Sequence, residues 1–154
     1  MSLTIPYVKL DPAVPDLARH SAGAGGIDLV AAPIADEAGA RHFPYPEGYL
    51  IDAGGSALIA TGVAVAIPAG HAGIILLRSS FGIRAQLSVH VGLIDSDYRG
   101  EIFVRVIGGP HPCRIRPYER FAQLLVVPFL QASPVQVPTL DATRRGRGWA
   151  GSTG

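Results

Sequence analysis

Residues 92–101 form a polar segment between two apolar runs, and their side chains are of types that do chemistry. The segment includes the closely spaced carboxylates of Asp95 and Asp97, followed by the phenol of Tyr98 and the guanidinium of Arg99. A plain hairpin needs only Asn-Gly or Asp-Gly, whereas these groups suit a charged ligand that carries a ring. Asp-Ser-Asp is also favourable turn chemistry. Taken alone, the segment therefore fits either a turn or a site.

Five further positions carry groups suited to binding phosphate or holding a charge. Arg78 and the hydroxyls of Ser79 and Ser80 follow an apolar run, and such groups offer phosphate a charged fork and hydrogen-bond donors. Asp28 is a carboxylate inside an apolar strand, where a charge needs a partner. Gln123 is the amide of another apolar strand. Each also has an ordinary structural reading, as part of a solvated loop, as a turn carboxylate or as an amide that satisfies a backbone group.

The tail, residues 141–154, is rich in glycine and contains three arginines and the hydroxyls of Ser152 and Thr153. It resembles a phosphate-binding P-loop only superficially, because it lacks the lysine and no strand and helix bracket it. What remains is an arm whose backbone amides and arginines could wrap a polyphosphate while Trp149 stacks on a base. The alternative is a disordered basic tail, which the glycine content by itself favours.

Short strands are the elements predicted to position these groups. The chain has 19 glycines, 13 prolines and only 16% charged residues, which is typical of many strands joined by tight turns. Alternating residues on both sides of 92–101 predict two strands that meet there. Further strands are predicted at 7–10, within 23–32, at 49–51, at 58–67 and at 72–77. A short helix is possible around 16–20 or 118–122.

The length and charge of the chain limit the classes of protein to which it can belong. A chain of 154 residues fits one domain, which we place at 1–140, with a flexible arm at 141–154. The net charge of +1 gives no reason to expect nucleic acid or a membrane as a partner. No signal peptide is apparent, and Cys113 is the only cysteine, so an internal disulfide is excluded. A reducing cytoplasm fits this composition.

Five separated stretches, taken together and in this order, resemble the trimeric dUTPase family. They are Gly-Gly-Ile-Asp-Leu at 25–29, Arg-Ser-Ser at 78–80, Gly-Leu-Ile-Asp-Ser-Asp-Tyr-Arg-Gly-Glu at 92–101, Arg-Phe-Ala-Gln-Leu at 120–124 and Arg-Gly-Arg-Gly-Trp-Ala-Gly-Ser-Thr-Gly at 145–154. The match spans nearly the whole chain, and the third motif is highly specific. The resemblance implies an all-β, jelly-roll-like distorted barrel and a homotrimer, in which the exchanged C-terminal arm closes over a neighbouring subunit's site.

The reaction that the resemblance implies is hydrolysis of dUTP to dUMP and pyrophosphate, which limits uracil incorporation into DNA and supplies dUMP for thymidylate synthesis. Asp95 is implied as the base that activates the attacking water, and Tyr98 as the residue that leaves no room for a ribose 2′-hydroxyl. Ser79 and Gln123 are implied to donate hydrogen bonds to phosphate oxygens. Mg²⁺ is implied to be held mainly by the triphosphate, with Asp28 acting on it through water. The other implied substrate contacts are Arg78, Ser80, Gly92, Ile94, Arg145, Gly148, Trp149, Ser152 and Thr153.

Two motifs depart from the family's usual pattern. Ser80 stands where glycine is usual in the second motif, and Ala150 stands where phenylalanine is usual in the fifth, with Trp149 one residue earlier. We expect the arm to shift in register so that the indole covers the base. Two alternatives to a dUTP pyrophosphatase remain open. One is a relative of dCTP deaminase, whose family shares the fold and an Arg-Ser-Ser stretch, and the other is a degenerate trimer that binds nucleotide without turnover.

Overall fold

The computed structural model describes residues 3–143 and residue 146, and its regular structure is almost entirely β. The described residues form thirteen strands and one π-helical turn, Ser80–Arg84. The strands are β1 Tyr7–Lys9, β2 Ile27–Val30, β3 Ile34–Ala35, β4 Arg41–His42, β5 Tyr49–Ile51, β6 Ser56–Ala60, β7 Val63–Val65, β8 His71–Leu77, β9 Ser88–Val89, β10 Leu93–Ile94, β11 Phe103–Ile107, β12 Cys113–Ile115 and β13 Arg120–Pro128. The prediction of an all-β chain is confirmed.

A four-stranded antiparallel sheet in the order β10-β8-β13-β2 carries most of the residues of interest. Its two central strands, β8 and β13, pair continuously from Ala122 opposite Leu77 to Pro128 opposite His71. Both strands are rich in isoleucine, leucine and valine, which pack well on a pleated surface. This pairing is the longest in the fold and gives the sheet a fixed register.

The remaining strands form a three-stranded sheet, β6-β11-β9, and three two-stranded pairs, β1 with β7, β5 with β12 and β3 with β4. One hydrophobic core lies between them and includes Leu29, Ile59, Ile75 and Phe121, each at most 2% exposed. Strand β11 alternates exposed and buried residues, as expected for a strand with one face on a core. The core therefore receives side chains from both of the larger sheets.

The two strands predicted to meet beside residues 92–101 are present. They are β9 and β11, which pair antiparallel with Val106 opposite Val89. The chain between them does not turn back directly, because it first forms β10, which pairs with β8 in the other sheet. The polar segment therefore connects the two larger sheets.

Two sequence predictions differ from the structure. The strand predicted at 58–67 is divided into β6 and β7, because Gly62 between them has φ +67°, a conformation that glycine adopts without strain. A side chain at Gly62 would also collide with the core, since its Cβ would lie 2.7 Å from Val14. Residues 16–20 and 118–122 are not helical. Among the described residues, no helix is long and apolar enough to cross a membrane.

The chain leaves the sheets after Pro128, where β13 ends. Residues 129–143 belong to no strand and are exposed. Large apolar side chains lie uncovered there, with Leu130 96% and Leu140 85% exposed. Exposed apolar patches of this kind mark interaction surfaces.

Candidate active site

A carboxylate between two arginines lies on the four-stranded sheet, where β2, β13 and β8 are neighbours. The Asp28 side chain is 12% exposed, and its Oδ1 lies 3.5 Å from Nε of Arg78 while its Oδ2 lies 3.4 Å from Nη1 of Arg120. Arg78 directly follows β8 and continues its ladder, since its backbone amide donates to Phe121 at 2.9 Å. Asp28 therefore has two charged partners, as a carboxylate in an apolar strand requires at least one.

Gln123 stands on β13 between the other two strands of this cluster, opposite Asp28 on one side and Leu76 on the other. Its Nε2 donates to the Leu77 carbonyl at 3.4 Å, so the predicted backbone role is confirmed. Its side chain passes over Gly26, where a Cβ would lie 2.4 Å from Oε1. Glycine at position 26 therefore makes the room that the amide occupies.

The hydroxyls of Ser79 and Ser80 are exposed beside Arg78, at the start of the π-helical turn. The Ser79 side chain makes no capping hydrogen bond. The turn is held instead by the buried Phe81 and by the Arg78 carbonyl, which accepts from the amides of Phe81 at 3.0 Å and Gly82 at 3.1 Å. Both hydroxyls are thus free to donate to a bound anion.

A second group of predicted residues surrounds a separate pocket of about 200 Å³ at the polar segment. Its lining residues are Leu93, Ile94, Asp95, Tyr98, Glu101 and Phe103. The backbone amide of Tyr98 donates to the Asp95 carbonyl at 3.1 Å, which closes a turn. The Tyr98 hydroxyl donates to the Glu101 carbonyl at 2.8 Å. Residues 92–101 are therefore both a turn and the wall of a pocket.

The Tyr98 ring lies directly over Gly100. A Cβ on Gly100 would lie only 2.4 Å from the Tyr98 hydroxyl oxygen and 2.6 Å from Cζ. No side chain larger than hydrogen fits under the ring without moving it. At the other end of the segment, the Gly92 carbonyl accepts from the Ile75 amide at 3.3 Å, which ties the segment to β8.

The two groups lie at opposite ends of β8. Ile94 pairs with Gly73, and because β10 runs antiparallel to β8, Asp95 continues away from Arg78. Five residues of extended strand separate Gly73 from Arg78, which is roughly 17 Å at about 3.3 Å per residue. Within one chain, the structure therefore brings Asp28, Arg78 and Gln123 together but does not bring Asp95 to them.

Three charged residues at these sites were not singled out by the sequence analysis. Arg120 is the second partner of Asp28, and the antiparallel pairing of two motif-bearing strands is the signal that would have found it. Glu101 and Arg41 form an ion pair beside the pocket. Arg41 lies on β4, in a hairpin without any recognisable motif, so no local signal indicates it.

The described residues fit a metal carried by a ligand better than a metal held by the protein. Among them there is no cluster of three or more His, Cys, Asp or Glu side chains that could hold an ion. Asp28 supplies a single carboxylate that two arginines already contact. Magnesium sites built on substrate phosphates need only one or two protein carboxylates and retain several waters. Asp28 thus fits an indirect role toward such an ion.

Burial changes the acidity of one phenol close to the pocket. Burial raises the pKa of Tyr49, with a smaller contribution from the charge of Glu101. Its hydroxyl donates to the Ala32 carbonyl at 2.7 Å and accepts from the Ala60 amide at 3.2 Å. Tyr49 is therefore a neutral structural group that joins β5 to the core. Five residues predicted to bind substrate lie outside the described residues: Arg145, Gly148, Trp149, Ser152 and Thr153.

Comparisons with known proteins show a family relationship. The dUTPase family model matches residues 42–154. A deoxyuridine 5′-triphosphate nucleotidohydrolase of Methylocella silvestris is 41% identical over 141 residues, which cover 89% of this chain and 81% of that protein. One from Mycobacterium bovis is 36% identical over 163 aligned positions, which cover 100% of this chain and 97% of that protein.

Solved structures show the same fold. The dUTPase of Staphylococcus bacteriophage 80alpha, bound to dUPNHPP, has a TM-score of 0.80 at 22% identity and covers 99% of both chains. A dUTPase mutant from phage phi11 of S. aureus, described as revealing the coordination of a structural Mg(II) ion, has a TM-score of 0.73 at 20% identity. It covers 89% of this chain and 98% of its own. At these identities the likeness concerns the fold.

Proposed function

Because the chain belongs to the dUTPase family, we propose that it hydrolyses dUTP to dUMP and pyrophosphate by attack of water on the α-phosphorus. The main structural support for assigning catalytic and sugar-binding roles is a pocket of about 200 Å³ that both Asp95 and Tyr98 line. A carboxylate supplies a base, and a ring beside it supplies a wall for a sugar. We place this reaction in the cytoplasm, where it limits uracil incorporation into DNA and supplies dUMP for thymidylate synthesis.

Asp95 is the general base of the proposed reaction. Its side chain is exposed at the pocket, so its carboxylate can accept a hydrogen bond from a water molecule. The water oxygen forms the new bond to the α-phosphorus while Asp95 takes its proton, and the oxygen that bridges the α- and β-phosphates leaves with pyrophosphate. The hydrogen bond from the Tyr98 amide to the Asp95 carbonyl holds the backbone of this turn.

Tyr98 selects the sugar through the face of its ring. Its hydroxyl already donates to the Glu101 carbonyl, so the ring rather than the hydroxyl is available to the substrate. Deoxyribose can pack against this surface, whereas a ribose 2′-hydroxyl would lose its water without gaining a partner. Around this pocket, backbone groups near Gly92 and Ile94 read the uracil edge. This arrangement favours dUTP over UTP.

The cluster at the end of β8 binds the phosphates. Arg78 supplies positive charge, and the exposed hydroxyls of Ser79 and Ser80 together with the Gln123 amide supply donors to phosphate oxygens. Preorganised donors of this kind stabilise negative charge as it develops on the leaving pyrophosphate. Arg145 in the arm adds a second guanidinium. Mg²⁺ bound to the triphosphate would neutralise further charge, and Asp28 would contact its water shell.

The site is completed between copies of the chain. Asp95 and the phosphate-binding cluster are roughly 17 Å apart along β8 at about 3.3 Å per residue, yet the base and the phosphate ligands must meet at one phosphorus. We therefore place Asp95 of one subunit beside Ser79 and Gln123 of another, in a homotrimer of jelly-roll-like barrels. The exposed apolar segment 129–143 supports an exchanged arm. The arm would bring Gly148, Trp149, Ser152 and Thr153 over a neighbouring site.

The test of the reaction is pyrophosphate release from dUTP, UTP, dCTP and dTTP in parallel, with Mg²⁺ and then with a chelator. Release from dUTP alone, lost on chelation, is the expected result. Asp95→Asn should abolish turnover while nucleotide binding survives. Asp97→Asn is the matched control, because Asp97 is an exposed carboxylate of the same turn. A fully active Asp95→Asn enzyme would contradict the assignment of the base, and ammonia release from dCTP would identify a deaminase instead.

The shared site is tested by combining two inactive variants. Asp95→Asn and Ser79→Ala are co-expressed with different tags, and trimers that contain both are purified. If each site takes Asp95 from one copy and Ser79 from the next, every purified trimer with both variants has one intact site of its three, which is about a third of the sites. Activity should therefore recover to about that fraction of wild type. Mixed trimers without any recovered activity would show that each chain builds its own site.

A further inference from the structure

An ion pair outside the proposed catalytic set fastens the end of the third motif to the β3–β4 hairpin. Arg41 Nη1 donates to Glu101 Oε1 at 3.2 Å, and Nη2 donates to Oε2 of the same carboxylate. Arg41 Nη1 also donates to the Pro33 carbonyl at 2.7 Å. The side chains are only 17% and 9% exposed, respectively. The two-point geometry fixes the position of the carboxylate as well as its charge.

The Glu101 carboxylate has a third partner that ties it to the core. The Gly62 amide donates to Oε1 at 2.7 Å. The next residue, Ile102, is fully buried, and its amide donates to the Val63 carbonyl at 2.9 Å. The backbone at residues 101–102 is therefore held both by the contacts of the Glu101 side chain and by the hydrogen bond between Ile102 and Val63.

This fixed backbone is the acceptor for Tyr98. The Tyr98 hydroxyl donates to the Glu101 carbonyl at 2.8 Å, while the ring rests on Gly100. Arg41 is thus connected to the ring through one residue, Glu101, although the two lie 57 positions apart in the chain. If Arg41 were lost, the Glu101 carboxylate would keep only the Gly62 amide and would turn toward water.

Arg41 also affects the charge of the pocket. Asp95 and Glu101 both line it, and a nucleoside triphosphate is strongly anionic. Arg41 neutralises Glu101, so that Asp95 is the carboxylate left uncompensated at this wall. A second unpaired carboxylate there would repel the substrate.

We propose that Arg41 is a positioning residue for sugar selection, which holds Glu101 so that the Tyr98 ring stays against the deoxyribose. The proposal rests on the proposed function, because it assigns the ring to dUTP. It concerns binding and discrimination rather than the chemical step. The geometry also gives a role to a hairpin that belongs to none of the five motifs, since its Arg41 holds a residue that lines the pocket.

The experiment compares Arg41→Met with wild type in the full chain, using dUTP and UTP. The KM for dUTP should rise about tenfold and the ratio of kcat/KM for dUTP to that for UTP should fall about tenfold, since small displacements of positioning groups have effects of this order. The kcat for dUTP should stay within about twofold. Arg114→Met is the matched control, because Arg114 forms an exposed ion pair with Glu47 at 3.0 Å, and it should change none of these values.

Introducing Arg41→Met into a Tyr98→Phe variant tests whether Arg41 affects sugar discrimination through the Tyr98 hydroxyl. There the hydroxyl is absent, so Arg41→Met should lower the dUTP-to-UTP ratio by less than about twofold. A full tenfold fall in that background would show that Arg41 acts elsewhere and would overturn the proposal. A fall in kcat with unchanged discrimination would overturn it as well, because that result describes a general structural role.

The design separates failure of this inference from failure of the proposed function. A folded wild-type protein that does not hydrolyse dUTP contradicts the function itself. An active wild type with an unchanged ratio in Arg41→Met contradicts only the role of Arg41. If Arg41→Met does not fold, Arg41→Lys provides the same test. Lysine keeps the positive charge, but its ammonium group lacks the planar, two-point hydrogen-bonding geometry of a guanidinium. A lower ratio in Arg41→Lys supports the proposal, and an unchanged ratio overturns it.

Discussion

Gly100→Ala should damage catalysis by displacing one ring. The new Cβ would lie 2.4 Å from the Tyr98 hydroxyl oxygen, 2.6 Å from Cζ and 3.0 Å from Cε2. Ordinary contacts between carbon atoms are about 3.5–4.0 Å, so the ring must move by about 1 Å. Gly100 is not among the described glycines with positive φ. The substitution therefore acts through the collision and not through backbone strain.

The expected loss of activity is larger than the expected loss of stability. A displacement of about 1 Å at a positioning group lowers kcat/KM by about 10- to 100-fold, which corresponds to about 1.4–2.7 kcal/mol of transition-state stabilisation. The folded state loses the exposed hydrogen bond from Tyr98 to the Glu101 carbonyl, which contributes about 0.5–1 kcal/mol. The variant should thus remain folded while its activity falls.

The assay is pyrophosphate release from dUTP, followed by thermal unfolding of the same samples. Gly23→Ala is the control, because a Cβ on Gly23 would meet nothing within 4 Å, and its kcat/KM should match wild type. If Gly100→Ala retains kcat/KM within about twofold of wild type, the position of the Tyr98 ring does not govern activity, and the role given to it is refuted.

Three further predictions concern stability. Asp28→Asn should lower the free energy of unfolding by about 1–2 kcal/mol, mostly through Arg78, because Arg120 is half exposed and its pair contributes little; denaturant titration measures this, and an unchanged midpoint would contradict it. Phe121→Ala empties a fully buried position and should cost about 3–5 kcal/mol, visible as a lower Tm. Burial raises the pKa of Tyr49, so its contribution is complete below the ordinary phenol pKa of about 10 and is lost as pH rises through the raised value. Tyr49→Phe should therefore make the free energy of unfolding fall less steeply at alkaline pH. An equally steep fall in the variant would show that other groups cause the decline.

Local patterns predicted those parts of the structure that local physics determines. The alternation beside residues 92–101 predicted β9 and β11 because a strand has a period of two. The carboxylate of Asp28 predicted a partner because an unpaired charge is costly in an apolar strand. Gln123 was predicted to satisfy a backbone group, and it donates to Leu77. In each case the neighbouring residues contain the reason for the arrangement.

Long-range contacts were not predictable in the same way. Arg41 meets Glu101 across 60 positions, and the short hairpin that carries Arg41 has neither a periodic pattern nor a motif. The π-helical turn at Ser80–Arg84 contains Phe81, whose ring packs in the core against residues distant in sequence. Gly62 divides a continuous apolar run because Val14, which is distant in sequence, leaves no room for a side chain. Such contacts follow from which elements are neighbours in space.

The position of β8 is the reason for proposing that the site is shared between subunits. One end of this strand leads into Arg78 and Ser79, and Gly73 near its other end pairs with Ile94, next to Asp95. Because β8 is paired along its length with β13, it cannot bend to bring its ends together. Five residues of extended backbone therefore keep base and phosphate ligands roughly 17 Å apart at about 3.3 Å per residue. If the site is shared as proposed, a change that weakens association of subunits should abolish activity even when each subunit remains folded.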